Sequence, residues 1–277
     1  MIELGQAPII QVPKQSFGFL SMSELAGQNF PQAFASKLKQ YSTEFLKKTV
    51  DGEFYFNNNG LAQGSNPLIL TLMNQRNLFP KEEHLLSIAE FGQAFNESPE
   101  AFKETYQDTG ICARTKNSYI SRNLIKQIRK RGITPTPEEP VVISLIDLKL
   151  KQDKRSPYGF IFTLTEGANL IIAPEYGTKK AVTKFTLYDK RGISIPDEGG
   201  DKKIWKRDSG VSRVYSDCGQ GAGSYNGRLA GSDASGRVVV GKSNVPQEFA
   251  KIEKVVAEAE QRKKTVKKNL ETRIANL

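Results

Sequence analysis

Residues 236–243 read GRVVVGKS and have the GxxxxGK[ST] spacing of a phosphate-binding loop. In such a loop a strand precedes the first glycine and a helix begins at the Lys-Ser pair, so that backbone amides converge on the phosphates. Here SDAS precedes the glycine, residues 237–240 are themselves strand-like, and Pro246 delays the next helix. Residues 219–223 (GQGAG) lack the last glycine of GxGxxG and have no βαβ context. We therefore expect no nucleotide cofactor.

Side chains that perform catalysis or bind metals are scarce. His84 is the only histidine, and its sequence neighbours Glu82 and Glu83 would point to other faces of the helix in which we expect it. Two cysteines, Cys112 and Cys218, cannot make a four-ligand zinc site or a disulfide framework. We expect a protein that is not an enzyme and that has no metal or cofactor.

The stretch from Trp205 to Lys242 has the composition of a binding loop. Between Asp208 and Gly236, sixteen of 29 residues are Gly, Ser, Tyr or Asn. Gly and Ser permit irregular backbone, while Tyr and Asn offer contact area and hydrogen bonds at low side-chain entropy. The composition predicts a ligand-binding loop at 208–235. The alternative is a linker or a surface excursion that binds nothing.

The segment WKRDSGVSRVY, followed by small residues and then GSDASGRVVV, resembles the variable-region end of diversity-generating retroelement target proteins over residues 205–242. In that family a C-type-lectin-like fold displays substituted residues between scaffold positions. The resemblance implies a display protein that binds a protein or glycan ligand. Its scaffold positions would be Trp205, Arg213, Leu229, Gly236, Arg237 and Val238. Its displayed, ligand-binding positions would be Ser212, Tyr215, Ser216, Asp217, Ser224, Tyr225, Asn226, Ser232, Asp233 and Ser235.

The net charge of +10 is unevenly distributed. Residues 61–110 carry 3 basic and 7 acidic side chains, whereas residues 111–155 carry 11 basic and 4 acidic ones. A basic amphipathic helix is predicted from Asn117 to Arg131, and it either docks by its aliphatic stripe with solvated cations outside or lies along phosphates. The 114–131 region is therefore an alternative, nucleic-acid-binding site. Its candidate residues are Arg122, Lys126, Arg129, Lys130 and Arg131.

The elements that would position these residues change in type at TPTPEEP, residues 134–140, where three prolines favour an extended connector. Before it, an arm of about twelve residues precedes predicted helices at 31–48, 66–76 and 81–95, and another that starts at Ser98. After it, residues 141–150, 158–165, 169–174 and 182–189 have the β-branched and aromatic content of strands. Residues 245–277 repeat apolar residues in threes and fours and predict a long helix.

We therefore predict an α+β protein with three parts. They are a mainly helical region at 1–133, an antiparallel, β-rich and possibly C-type-lectin-like domain at 141–243, and an amphipathic helix at 245–277. That last helix would pack or mediate homo-oligomers. No run of 18 apolar residues and no signal peptide are visible, so a soluble protein without a membrane partner is expected, cytoplasmic or virion-associated. A structural component of a virion or another assembly is the third functional class.

Overall fold

The computed structural model describes residues 16–19, 55–56, 62–79, 83–178, 183–217, 220–232 and 234–242. The described strands are β1 (Ser16–Phe19), β2 (Tyr55–Phe56), β3 (Ala62–Gln63), β4 (Glu83–Leu85), β5 (Tyr106–Ala113), β6 (Val141–Ser144), β7 (Leu148–Gln152), β8 (Phe160–Leu164), β9 (Leu170–Ile172), β10 (Lys184–Tyr188), β11 (Ser194–Pro196), β12 (Lys202–Trp205), β13 (Val211–Asp217), β14 (Gly221–Gly223) and β15 (Val239–Lys242). The described α-helices are α1 (Pro67–Gln75), α2 (Ile88–Glu97) and α3 (Tyr119–Lys130).

Eight strands form one curled sheet in the order β11-β10-β12-β14-β13-β5-β6-β9. Most neighbours are antiparallel, but β12 and β14 are parallel, so the sheet is mixed. A three-stranded sheet has the order β1-β15-β4, and β2-β3 and β7-β8 are separate pairs. The longest pairing joins β5 to β13. Both strands lie in the interior of the large sheet.

Both faces of β5 are covered, and every one of its residues is buried. Ile111 belongs to a core that also contains the apolar residues of α1 and α3, whereas Cys112 belongs to a second core with α2. Successive side chains of a strand point to opposite faces, so β5 separates the two cores. β13 lies beside it; its residues belong to the predicted 208–235 loop, and the irregular part of that loop begins after β13.

Local capping explains where the helices begin. The Asn66 side chain accepts a hydrogen bond from the backbone N–H of Ile69, and Pro67 occupies the first turn of α1. Ser87 and Glu90 form a capping box at α2, and Ser118 and Ser121 form the equivalent pair at α3. The predictions of helices at 66–76 and 117–131 are confirmed.

The predicted fold class was wrong. The structure is mostly β-sheet, and its described part contains three short helices instead of a helical half. Three errors produced that prediction, and two of them concern expected helices: residues 83–85 form β4 before α2 begins, and the start signal at Ser98 gives one 3-10 turn, Pro99–Phe102. The third error is β5, which was not foreseen as a strand. The predicted arm, the helix at 31–48 and the long helix at 245–277 lie outside the described residues.

The four strand predictions after the connector are confirmed, with one difference. Residues 141–150 form two strands, because a 3-10 turn at Leu145–Asp147 sends β6 into the large sheet and β7 into a hairpin with β8. Strand β5 precedes residues 134–140 and β6 follows them, so the large sheet includes strands from both sides of this connector. No helix in the described part of the chain is long and apolar enough to cross a bilayer.

Candidate binding surface

The irregular part of the predicted 208–235 loop leaves the large sheet after β13. β13 turns back into the short strand β14, which pairs Tyr215 with Gly223 and Asp217 with Gly221. Beyond β14 the chain has little regular structure until β15 begins at Val239. Backbone that lacks strand or helix partners needs other hydrogen bonds to be ordered. Two buried arginines and a segment around Tyr106 supply them.

Arg213 forms a buried ion pair with Asp108. The Nε–Oδ1 distance is 2.6 Å and the Nη2–Oδ2 distance is 2.5 Å. A β-bulge between Val214 and Tyr215 makes this pairing possible, because it sets Tyr215 opposite Asp108. Tyr215 and Arg213 lie on the same face of the sheet, so the Asp108 carboxylate lies on that face as well. Burial by itself lowers the pKa of Arg213, but the Asp108 charge and its hydrogen bonds outweigh burial and raise that pKa above its ordinary value.

The same guanidinium reaches the loop. Arg213 Nη1 donates to the carbonyl of Gly231 at 2.9 Å, and the Arg213 amide donates to the carbonyl of Asn226 at 2.8 Å. The guanidinium carbon also lies 5.3 Å from the ring centroid of Tyr106 and 5.5 Å from that of Tyr215. Arg213 therefore fixes two points of the irregular backbone while two aromatic rings cover its charge.

Arg114 holds the loop from the other face of β13. Its side chain is completely buried, and Nη1 and Nη2 donate to the hydroxyls of Ser212 and Ser224 at 2.9 and 2.8 Å. Nη2 also donates to the Tyr176 carbonyl at 3.2 Å. The Ser224 amide donates to the Trp205 carbonyl at 2.8 Å. Residue 224, where the loop leaves β14, is thus fixed by both its side chain and its backbone.

The last part of the loop is held by Ser65 and Tyr106. The Ser232 hydroxyl accepts from the Ser65 amide at 2.8 Å and from the Tyr106 hydroxyl at 3.3 Å. The Tyr106 amide donates to the Ser235 carbonyl at 3.2 Å, and the Arg237 amide donates to the Tyr106 carbonyl at 3.0 Å. The loop is therefore anchored near its start, its middle and its end.

Four of the predicted contact residues are buried, which corrects their assignment as displayed side chains: Ser212, Tyr215, Ser216 and Ser224 are between 0% and 7% exposed. Ser212, Tyr215 and Ser216 lie on β13, an interior strand with both faces covered, and Ser224 follows β14, where its hydroxyl accepts a hydrogen bond from the buried Arg114. Tyr225 is 47% exposed, whereas Asp217, Asn226, Ser232 and Ser235 are half-buried. Asp233 lies outside the described residues. The predicted scaffold positions Arg213, Leu229, Gly236 and Val238 are buried, and Trp205 and Arg237 are half-buried.

The two tyrosines of the loop form a pair with different exposure. Their ring centroids are 6.2 Å apart with planes tilted by 52°. Burial is the main cause that raises the pKa of Tyr215, and a hydrogen bond with the Tyr225 side chain raises it further. Tyr215 is the buried support, and Tyr225 is the ring presented to solvent.

Sequence reasoning missed the residues that hold the loop, among them Asp108, Arg114 and Tyr106. The available signal was a charged residue inside each of two strand-like runs, YQDTGICA and VSRVYSD, since such residues are buried in a sheet only when paired. It also missed two exposed members of the loop, Gln220 and Arg228. Composition gave no reason to separate those two from their neighbours.

All five candidates for nucleic-acid contact are exposed: Arg122, Lys126, Arg129 and Lys130 on α3, and Arg131 at its C-cap. The aliphatic stripe of the same helix is buried, as the docking alternative predicted. His84 lies in β4 and not in a helix, and its Nε2 is 3.2 Å from Oε1 of Glu90. Within the described ranges, no group of three or more His, Cys, Asp or Glu residues is arranged to hold a metal ion.

Comparison with family models, with curated proteins and with solved structures returns no match for this chain.

Proposed function

We propose that the protein is a non-enzymatic binding protein that contacts a protein or a glycan through the outer side of its loop. The proposed contact residues, here called the outer set, are six polar or aromatic residues of the loop that reach solvent. Ser232 is left out because its hydroxyl holds the loop to Ser65 and Tyr106. Four members come from the earlier prediction, and Gln220 and Arg228 are added because they are exposed. The outer set is Asp217, Gln220, Tyr225, Asn226, Arg228 and Ser235.

The observation that carries this proposal is that an irregular loop is fixed to the sheet by buried side chains. Arg114 holds residue 224, Arg213 holds residues 226 and 231, and Tyr106 holds residues 232, 235 and 237, in part through backbone groups. Ordering a loop on binding costs free energy, and a loop already ordered avoids that cost. A plain linker needs no such attachment.

Chemically, the outer set suits polar recognition around one aromatic ring. Tyr225 is half exposed and its ring contacts Tyr215, so its contact area is available at low entropic cost. Asn226 follows Tyr225 in the chain, and Gln220 and Arg228 are exposed on the same loop, so that the three supply amide and guanidinium donors. Aromatic rings with neighbouring hydrogen-bond groups are the features that protein and glycan ligands both use.

The resemblance to diversity-generating retroelement target proteins stays a prediction. It implies different sequence variation in the outer set and in the buried residues that hold the loop. Under it, related copies of the gene would differ at the outer set and agree at Arg114, Asp108 and Arg213. The neighbouring DNA would also carry a reverse transcriptase gene and a near-repeat of the coding sequence for this loop.

Probing arrays of glycans and purified proteins with the labelled full chain tests the proposal. Each ligand found is then titrated against the Tyr225→Ala/Asn226→Ala variant and against Leu187→Ala, a control that removes a side chain of equal exposure, 48%, from β10. We expect the loop variant to bind at least about tenfold more weakly, a loss of about 1.4 kcal/mol, with an unchanged melting temperature. Failure to find any ligand, or equal binding by wild type and the loop variant, contradicts it.

A further inference from the structure

The exposed face of α3 carries a row of cations. Arg122, Lys126 and Lys130 follow one another at intervals of four residues, and Arg129 precedes Lys130. With a rise of about 1.5 Å per residue, the row is about 12 Å long. We call Arg122, Lys126, Arg129 and Lys130 the basic row. All four are exposed, and in the described part of the chain none of their side chains forms an ion pair or a hydrogen bond.

The stability of α3 does not account for the basic row. The helix has no acidic residue, so its cations have no partner of opposite charge within it. Arg122/Lys126 and Lys126/Lys130 are like-charge pairs at four-residue spacing, which destabilise a helix. Arg122 also lies near the helix N-terminus, where the macrodipole disfavours a cation, and only Arg129 and Lys130 lie where it favours one. An external anion would offset the repulsion that the helix itself leaves uncompensated.

The basic row is held on a fixed support. Ile120, Leu124, Ile125 and Ile128 are buried beneath it. Gln127 ties the helix to β8, since its Nε2 donates to the Phe162 carbonyl at 3.0 Å and its Oε1 accepts from the Leu164 amide at 2.9 Å. These contacts fix the orientation of the exposed face of α3.

Arg131 belongs to this support and not to the row. Although exposed, its guanidinium donates to the Ala168 carbonyl at 3.0 Å and to the Thr165 carbonyl. It therefore links the C-terminal end of α3 to the chain that leads into β9. Its substitution would loosen the helix, so a charge-removal experiment should leave it in place.

We propose that the basic row binds the phosphate backbone of a nucleic acid, independently of the ligand of the loop. Its charges recur about every 6 Å along the helix, which suits a polymer with regularly repeated phosphates better than the irregular carboxylates of a protein surface. No acidic residue occurs between 115 and 137, and the β7-β8 hairpin, whose strand β8 is bound by Gln127 of α3, carries the exposed Lys149, Lys151 and Lys154. Contacts of this kind give affinity without sequence specificity.

The test is fluorescence anisotropy of a labelled DNA duplex titrated with the full chain as NaCl is raised. The row variant is Arg122→Gln/Lys126→Gln/Lys130→Gln. The control Lys184→Gln/Lys190→Gln/Lys203→Gln removes the same charge from exposed lysines on and near β10 and β12. We expect the row variant to bind more than tenfold more weakly at low salt. The slope of log K against log salt should fall by roughly 0.9 per lost contact, while the control keeps most of the affinity and slope.

Three outcomes overturn the proposal. One is no binding of the duplex by wild type at the lowest salt. Another is an equal loss in the row and control variants, which would mean that net charge alone acts. The third is binding to phosphatidylserine vesicles, lost in the row variant, when the duplex is not bound. If the triple variant fails to fold, Lys126→Gln alone replaces it, and its slope should fall by about 1; an unchanged slope also overturns the proposal.

Discussion

Arg213 and Asp108 are joined by two short hydrogen bonds across β13 and β5, of 2.6 and 2.5 Å, and both side chains are nearly excluded from water. The ion pair lies within the large sheet, and the third guanidinium nitrogen of Arg213, Nη1, donates to the carbonyl of Gly231 in the loop. Loss of this ion pair would therefore also weaken the hydrogen bond that holds the loop at Gly231.

Asp108→Asn should lower the free energy of unfolding by about 3–5 kcal/mol, because it leaves the buried Arg213 charge without its counter-ion. Urea unfolding followed by circular dichroism measures this. Glu166→Gln, at an exposed position, is the control and should stay within about 0.5 kcal/mol of wild type. A loss below about 1 kcal/mol in Asp108→Asn would show that the pair does not hold this region.

Arg114 and Ser224 should be energetically coupled. In a double-mutant cycle with Arg114→Met and Ser224→Ala, each single change removes the same 2.8 Å hydrogen bond. We expect the two destabilisations to fall short of additivity by roughly 0.5–3 kcal/mol, as for contacting residues in one network. Purely additive effects would mean that Arg114 does not anchor the start of the loop.

Two glycines of the loop should respond differently to alanine. A β carbon on Gly223 would overlap the Tyr215 ring, whereas one on Gly231 would meet its nearest atom, Arg228 Cβ, at 3.4 Å. Gly223→Ala should therefore destabilise the protein by about 1–3 kcal/mol through overpacking, and Gly231→Ala should be close to neutral. Equal melting temperatures for the two variants would contradict the packing of Tyr215 on β14.

The His84–Glu90 pair should make stability depend on pH. Its hydrogen bond to Glu90 raises the pKa of His84 above 6.5. Burial opposes ionisation of Glu90, but hydrogen bonds from His84 and Ser87 lower its pKa from 4.5 to about 2. The His84 contribution is complete below pH 6.5 and is lost as pH rises through the raised pKa. The Glu90 contribution is complete above pH 4.5 and is lost as pH falls towards 2.

Unfolding in urea of wild type and His84→Gln at mildly acidic and mildly alkaline pH tests this. The stability difference between the two proteins should be larger at the acidic pH, because protonated His84 pairs with Glu90 there. A difference that does not change with pH would contradict the pairing.

Local patterns predicted those elements whose own residue types mark them. The apolar stripe of α3 and the β-branched and aromatic runs of β6, β8, β9 and β10 have that property. Strand β5 does not, since it is buried throughout and yet includes Gln107, Asp108 and Gly110. Its identity as a strand depends on pairing with β13, about a hundred residues later, which no local window contains.

Within the loop, composition indicated a binding surface but could not separate the supports from the contacts. Tyr215 and Tyr225 are the same residue type, yet one is 7% and the other 47% exposed. Ser212 and Ser224 have the small hydroxyl side chains of a surface loop, and here those hydroxyls accept hydrogen bonds from the buried Arg114. Distinguishing the buried supports from the exposed contacts required knowledge of their partners, Asp108 on β5 and Arg114 just after it. These partners are distant in sequence and come close only in the folded chain.

Amide hydrogen exchange of the protein without ligand tests most directly whether the loop is held in advance. The amides of Ser224 and Arg237 donate to the carbonyls of Trp205 and Tyr106. We expect both to exchange as slowly as the amides of β13, through opening of the sheet and not of the loop alone. Exchange of these two amides at the rate of an unstructured peptide, while β13 stays protected, would contradict a preorganised binding surface.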